Sequence, residues 1–152
     1  MANAKEELPK KKADPINSAS NQDIEVPSNV LIVDDSKELR SLIVEFLLVK
    51  FNSRVFEAEN GKEGLKIITE SNIKIHLVLC DIMMPIMDGI TFLKELKSSD
   101  STQLVPVIFF TGKNDKETVT ECIKLGASDF IVKPYDIDSM TKKIEKFIKL
   151  RS

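Results

Sequence analysis

Four places in the chain set a chemically capable side chain directly after a short apolar run. Asp34-Asp35 close VLIVDD, Asp81 closes LVLCD, Thr111 closes IFFT, and Lys133-Pro134 close FIVKP. Three carboxylates, one hydroxyl and one ammonium share a chemistry once they meet. Clustered carboxylates repel, so one of them holds on to a proton unless a cation joins the group. Mg²⁺ is a hard ion that takes oxygen ligands, keeps several waters and is often shared with a phosphate. A carboxylate beside such an ion can attack phosphorus and form an aspartyl phosphate. The phosphoryl group in transfer spreads its charge over its oxygens, and an ammonium, a hydroxyl and backbone N–H groups can meet that charge. Singly, each position has a plainer explanation: helix caps at Asp34-Asp35, a solvated loop at Asp81, turns at Thr111-Gly112 and Lys133-Pro134. Recurrence at four run ends is what capping does not explain.

The runs themselves, residues 30–33, 54–57, 76–80, 107–110 and 130–132, are rich in β-branched residues. Nearly continuous apolar runs suit strands buried on both faces of a parallel sheet, and the polar-flanked run around Val55 suits an edge. Amphipathic helical segments lie between them. Leu39, Leu42, Ile43, Phe46 and Leu47 repeat at the spacing of one helix face. Asn60 and Glu63 have capping-box spacing ahead of Leu65 and Ile68. Asp88-Gly89 begin a helix carrying Phe92, Leu93 and Leu96. Val119, Cys122 and Ile123 form a fourth apolar face, with Gly126 suited to a left-handed stop. Asp136 caps a last helix expected to bury Ile137, Met140, Ile144, Phe147 and Ile148, with basic residues at the negative end of its dipole. Strict strand–helix alternation implies a doubly wound α/β sandwich, a parallel sheet with helices on both faces. Ligands of such sheets sit beyond the carboxyl ends of the strands. All the reactive residues fall there.

Bulk properties narrow the class. A chain of 152 residues with 42% hydrophobic content fits one domain with a real core. The net charge of −2 comes from intermixed acids and bases, so no basic stripe suggests nucleic acid. The opening MANAKEELPKKKADP has no apolar core of a signal peptide, and no run approaches the roughly 18 residues of a membrane span. A soluble cytoplasmic protein without membrane insertion is expected. Cys80 and Cys122 lie in apolar stretches with no Cys or His at ligand spacing, as buried reduced thiols do. Residues 1–28, interrupted by Pro9, Pro15 and Pro27, read as a flexible N-terminal extension ahead of a domain at 29–152. His76, the only histidine, reads as a strand-start residue. Met83, Met84 and Met87 lack the partners of a soft-metal site, and Met84 and Met87 are expected to pack their loop.

From about residue 30 to residue 150 the chain resembles the receiver domain of bacterial two-component response regulators. The motifs that carry this are VLIVDDS, LVLCDIMMPIMDG with Asp81, Pro85, Asp88 and Gly89, IFFTG, and GASDFIVKP. The resemblance implies a flavodoxin-like three-layer sandwich, (βα)5, with strand order 2-1-3-4-5. It implies Asp81 as the phosphorylated residue, with Asp35, Asp81 and the Met83 carbonyl on Mg²⁺ (Mn²⁺ able to substitute) and Asp34 acting through water. Thr111 and Lys133 would contact the phosphoryl oxygens, and the Lys133-Pro134 bond would be cis. Phosphate at Asp81 would draw Thr111 inward and let Phe130 turn into the vacated space. That would remodel the surface of the fourth helix, fifth strand and last helix for a target protein. Phe130 stands where tyrosine is common, and has no hydroxyl to offer a partner. Met83 and Lys113 would flank the phosphoryl group and set its lifetime.

The implied donor is a sensor histidine kinase or a histidine phosphotransfer protein, with no organic cofactor and no turnover of external substrates. A chain that stops soon after its last helix suggests a stand-alone, chemotaxis-type regulator; the alternatives are a phosphorelay intermediate or an unphosphorylated scaffold. A flavin carrier would need a hydroxyl- and glycine-rich loop where VDDSKE stands, since acids repel a cofactor phosphate. A phosphatase of the Asp-x-Asp type would need its two acids spaced differently from Asp34-Asp35.

Overall fold

Alternation along each strand sorts the apolar residues into two cores. In the computed structural model, which describes residues 25–112 and 116–152, five strands pair in parallel in the order β2-β1-β3-β4-β5. They are β1 (Ser28–Val33), β2 (Ser53–Ala58), β3 (Leu77–Asp81), β4 (Val107–Thr111) and β5 (Asp129–Val132). Val30, Ile32, Leu77, Leu79, Ile108, Phe110 and Ile131 face one core, and Leu31, Val33, Val78, Cys80, Val107 and Phe109 face the other. This is the period-two pattern of a sheet covered on both sides. The expected doubly wound α/β sandwich and its strand order are both present. The polar-flanked run around Val55 is indeed the edge strand β2.

Helices α1 (Lys37–Lys50), α2 (Gly61–Glu70), α3 (Gly89–Lys97), α4 (Lys116–Lys124) and α5 (Ile137–Ile144) follow the strands in turn. Ile43 and Leu47 of α1 and Met140 and Ile144 of α5 close the first core; Phe92, Leu93, Leu96 and Cys122 close the second. Leu65 and Ile68 of α2 pack partly buried against the second core, as do Met84 and Met87. The caps are where the sequence places them: Asn60 accepts from the Glu63 N–H at 2.9 Å, Asp88 from Thr91 at 2.8 Å and Asp136 from Ser139 at 3.0 Å. Past α4, Gly126 has φ +102° and Ala127 donates to the Cys122 carbonyl at 2.9 Å, the left-handed stop that a residue with a Cβ rarely adopts. Gly89 is required for a different reason, since a Cβ there would collide with the Asp81 carbonyl and come within 2.9 Å of the Phe109 ring.

Several expectations need correction. Leu42 is 63% exposed, Ile123 58% and Ile137 54%. At about 100° per residue, Leu42 lies roughly 120° from the middle of the Ile43–Leu47 face, so it belongs to the solvent side of α1. The last helix ends at Ile144; Phe147 and Ile148 are inward all the same, Ile148 at 3% exposure, but from a turn rather than a helix. The Lys149 carbonyl accepts from Asn52 N–H at 3.1 Å and Arg151 N–H donates to Lys50 at 2.8 Å, which pulls the chain straight alongside the end of α1. The first strand also takes in Ser28, ahead of the expected boundary at 29. Residues 1–24 of the expected extension, and Lys113, lie outside the described residues. His76 precedes β3, its Nδ1 accepting from Asn29 N–H at 2.9 Å, the strand-start role expected of it. Both cysteines are buried, and the two form no disulfide.

Ile86 has φ +70°, where a β-branched side chain is strained, and it is 79% exposed, so little packing is lost with its side chain. Ile86→Gly should therefore raise stability by about 0.5–1 kcal/mol, strain relief outweighing the added freedom of the unfolded chain. Urea unfolding reads this as a higher midpoint at unchanged slope; a lower midpoint would mean that contacts hold the exposed isoleucine.

Candidate functional site

The order of the sheet reverses at β1, from which the chain runs outward to β2 and returns to β3 on the other side. Crevices beyond the carboxyl ends of strands form at such a switch point. β1 ends at Val33, in register with Cys80 of β3, so Asp34 and Asp81 emerge side by side. Asp34 is 2% exposed. Its N–H donates to the Ala58 carbonyl at 3.0 Å, its Oδ1 accepts from Ser36 N–H at 2.8 Å, and its carbonyl accepts from Arg40 Nη1 at 2.7 Å. Its Oδ2 is buried without a partner among the described residues. Asp35 is exposed, and Asp81, half-buried, accepts from Ile82 N–H at 2.8 Å. One oxygen from each of Asp34, Asp35 and Asp81 lies within 4.8 Å of the others.

Burial is the largest influence on two of these acids. It raises Asp34, and the neighbouring charges of Asp81 and Asp35 add to that, against the Ser36 N–H and Lys133. It raises Asp81 too, opposed by Lys133 and by the N–H groups of Ile82 and Met83. An orphaned buried carboxylate oxygen, three acids in mutual contact and hard oxygen donors fit a small divalent cation such as Mg²⁺. The fit rests on the donor set.

Thr111 and Lys133 arrive from the other side. Thr111 ends β4, is 4% exposed, and its hydroxyl donates to the Gly112 carbonyl over a long 3.3 Å. The Lys133 N–H donates to the Thr111 carbonyl at 2.9 Å, which ties the two strand ends together. The Lys133-Pro134 peptide is cis, as the resemblance implied. The positive charge of Lys133 lowers both Asp34 and Asp81, against the effect of burial. Phe130, half-buried on β5, stacks on Phe109 with centroids 6.2 Å apart. A groove of about 340 Å³ opens beside it, lined by Thr111, Gly112, Val119 and Val132. Met83 is 76% exposed on the loop after β3.

The structure thus brings Asp34, Asp35, Asp81, Thr111 and Lys133 to one end of the sheet, with Phe130 behind Thr111 and Met83 in the adjoining loop. Two further residues were not singled out from the sequence. Arg40 is buried at 7% exposure against the backbone of Asp34. Its signal was a cation on the same helical stripe as Ile43 and Leu47. Tyr135, just past Lys133-Pro134, packs its ring on Phe110 at 5.0 Å and buries its hydroxyl without a partner among the described residues. Burial and the charges of Asp34 and Asp81 push its phenol well above the ordinary range.

The family model of the response regulator receiver domain matches residues 30–145, and the chain belongs to that family, whose members are phosphoryl-accepting domains of two-component signalling. It is 38% identical to chemotaxis protein CheY of Bacillus subtilis over 117 residues, 77% of this chain and 94% of that protein. It is 36% identical to sporulation initiation phosphotransferase F of the same organism over 123 residues, 81% of this chain and 95% of that one. Other relatives are much longer: a 35% identical match to the regulatory protein AtoC of Escherichia coli covers 82% of this chain but only 26% of AtoC. Among solved structures, a receiver domain protein from Clostridium thermocellum superposes with a TM-score of 0.71 at 28% identity, over 78% of this chain and 92% of that one. No helix among the described residues is long and apolar enough to cross a membrane.

The raised carboxyls set a pH dependence. Between the ordinary 3.8 and the raised folded values of Asp34 and Asp81, the folded chain binds more protons than the unfolded one. Stability from these groups therefore falls as pH rises through that window. Above that window the metal-free protein bears the penalty, so Asp34→Asn should melt higher than wild type without metal. Added Mg²⁺ should raise the wild-type melting temperature at pH 7 and do so less at about pH 4.5, where protons compete. Equal Mg²⁺ shifts at both pH values, or a lower metal-free melting temperature in Asp34→Asn, would contradict this.

Proposed function

We propose that this protein is a single-domain response regulator in which Asp81 accepts a phosphoryl group from a histidine kinase or phosphotransfer protein. The observation that carries the proposal is the meeting of Asp34, Asp35 and Asp81 oxygens within 4.8 Å at the strand ends that also deliver Thr111 and Lys133. Asp35, Asp81 and the Met83 carbonyl would hold Mg²⁺, with Asp34 acting through water; Mn²⁺ has the same oxygen preference. When bound, the ion neutralises the acids and the charge on the phosphoryl oxygens.

The chain's own groups do the rest. An Asp81 oxygen forms the new bond to phosphorus as the phosphorus–nitrogen bond of the donor's phosphohistidine breaks, its electron pair returning to the imidazole. Lys133 and the Thr111 hydroxyl bind the phosphoryl oxygens, and the N–H groups of Ile82 and Met83 hold the acceptor carboxylate. The weak Thr111–Gly112 bond leaves the hydroxyl free to turn toward phosphate, and the groove beside Phe130 gives the ring somewhere to move. A phosphoryl group adds about −1.5 to −2 charges, enough to bias two packings a few kcal/mol apart. The switched surface is the α4–β5–α5 face, where a downstream protein would dock. The chain acts in the cytoplasm and turns over no external substrate. Its likeness along nearly the whole length of sporulation initiation phosphotransferase F favours a second reading, a relay that passes phosphate onward from Asp81.

Incubation with acetyl phosphate and Mg²⁺ should add one phosphate to the intact protein, at least tenfold less in Asp81→Asn or with Mg²⁺ chelated. No gain in wild type would favour an unphosphorylated scaffold. Met83 stands two residues past the acceptor, and its apolar side chain would screen the acyl phosphate from water. Met83→Asn should lose phosphate several-fold faster in a timed mass measurement; equal or slower loss would end that role. Lys113 is proposed to share it.

A further inference from the structure

Among the described residues Arg40 is the only lysine or arginine that is buried, at 7% exposure. It stands on the inward stripe of α1 with Ile43 and Leu47. An apolar side chain there would pack without desolvating a charge, and such replacements are often neutral or stabilising. Core packing alone therefore gives no reason for a guanidinium.

Its contacts supply one. Nη1 donates to the Asp34 carbonyl at 2.7 Å, Nε donates to Glu57 Oε1 at 3.1 Å, and Nη2 lies 3.9 Å from Glu59. The carbonyl it grips belongs to the peptide that joins Asp34 to Asp35. With the N–H on Ala58 and Oδ1 on Ser36, this third anchor leaves Oδ2 as the one unpartnered polar atom of Asp34. Asp35 is exposed and its carboxylate makes no hydrogen bond among the described residues, so its reach is set by where the backbone places its Cα and Cβ. A charge-assisted bond to the preceding carbonyl is a strong means of setting it. Glu57 and Glu59, at the carboxyl end of the edge strand, hold the guanidinium in place and offset its charge.

We propose that Arg40 is a positioning residue for the metal-binding acids. Anchored by Glu57 and Glu59, it fixes the Asp34–Asp35 peptide and so the place from which the Asp35 carboxylate reaches a divalent cation. The proposal rests on the metal-site reading above. It differs from a purely structural role, which would alter stability and leave cation affinity as it was.

The test is calorimetric titration of the full chain with MgCl₂ at pH 7, for wild type, Asp35→Asn, Arg40→Gln and Arg40→Lys, beside urea unfolding of each. Arg40→Gln should weaken Mg²⁺ about tenfold, in line with other groups that orient metal ligands. Arg40→Lys can reach the carbonyl or Glu57 but not both, and should lose about three- to fivefold. If both variants bind within twofold of wild type, the inference is overturned; if Arg40→Gln does not fold, Arg40→Lys within twofold overturns it alone. Failure of wild type to bind Mg²⁺, or binding unaffected by Asp35→Asn, would overturn the metal-site reading and this inference with it. Normal wild-type binding, lost in Asp35→Asn and unchanged in both Arg40 variants, would overturn the inference only.

Discussion

Mutual repulsion of three carboxylates at one end of the sheet is the constraint on which the rest of this structure depends. Left to themselves, Asp34, Asp35 and Asp81 would separate or protonate. They are held together by backbone: the β1–β3 register sets Asp34 beside Asp81, and N–H groups of Ser36 and Ile82 bind their side chains. The stability that the fold gives up there comes from two apolar cores with no part in the chemistry. The site is thus a place of stored electrostatic cost, which a bound cation would relieve and which, in the proposed function, a phosphoryl group would then use.

The same constraint gives a physical meaning to features further out. Gly89 is small because the chain after Asp81 turns back onto its own carbonyl. The Lys133–Thr111 backbone bond ties together the two strand ends that carry the ammonium and the hydroxyl. Lys143 links α5 to β5: it donates to the Phe130 carbonyl and lies 3.7 Å from Asp129.

Much of this was legible in the sequence, and the residues show why. Strands were marked by β-branched runs, and the reactive residues by their place at run ends. Caps at Asn60, Asp88 and Asp136 and the stop at Gly126 are local signals, complete within a few residues. What could not be read depends on contacts between distant elements. Leu42 and Ile123 fit an apolar period yet lie past the edge of the buried arc. The course of the chain past α5 is set by backbone hydrogen bonds from Asn52 to Lys149 and from Arg151 to Lys50, between segments far apart in sequence. Arg40 shares the stripe of Ile43 and Leu47, but only the fold sets the Asp34 carbonyl and Glu57 on either side of it, and only the fold buries the Tyr135 hydroxyl near the acids.

The central claim is that the clustered acids make Asp81, and neither of its neighbours, the nucleophile toward phosphorus. Borohydride reduction of the phosphorylated chain converts an acyl phosphate to the corresponding alcohol, and peptide sequencing locates the homoserine that results. The account predicts homoserine at position 81 alone, dependent on Mg²⁺ during phosphorylation. Homoserine at position 34 or 35, or phosphate retained with no homoserine anywhere, would contradict it.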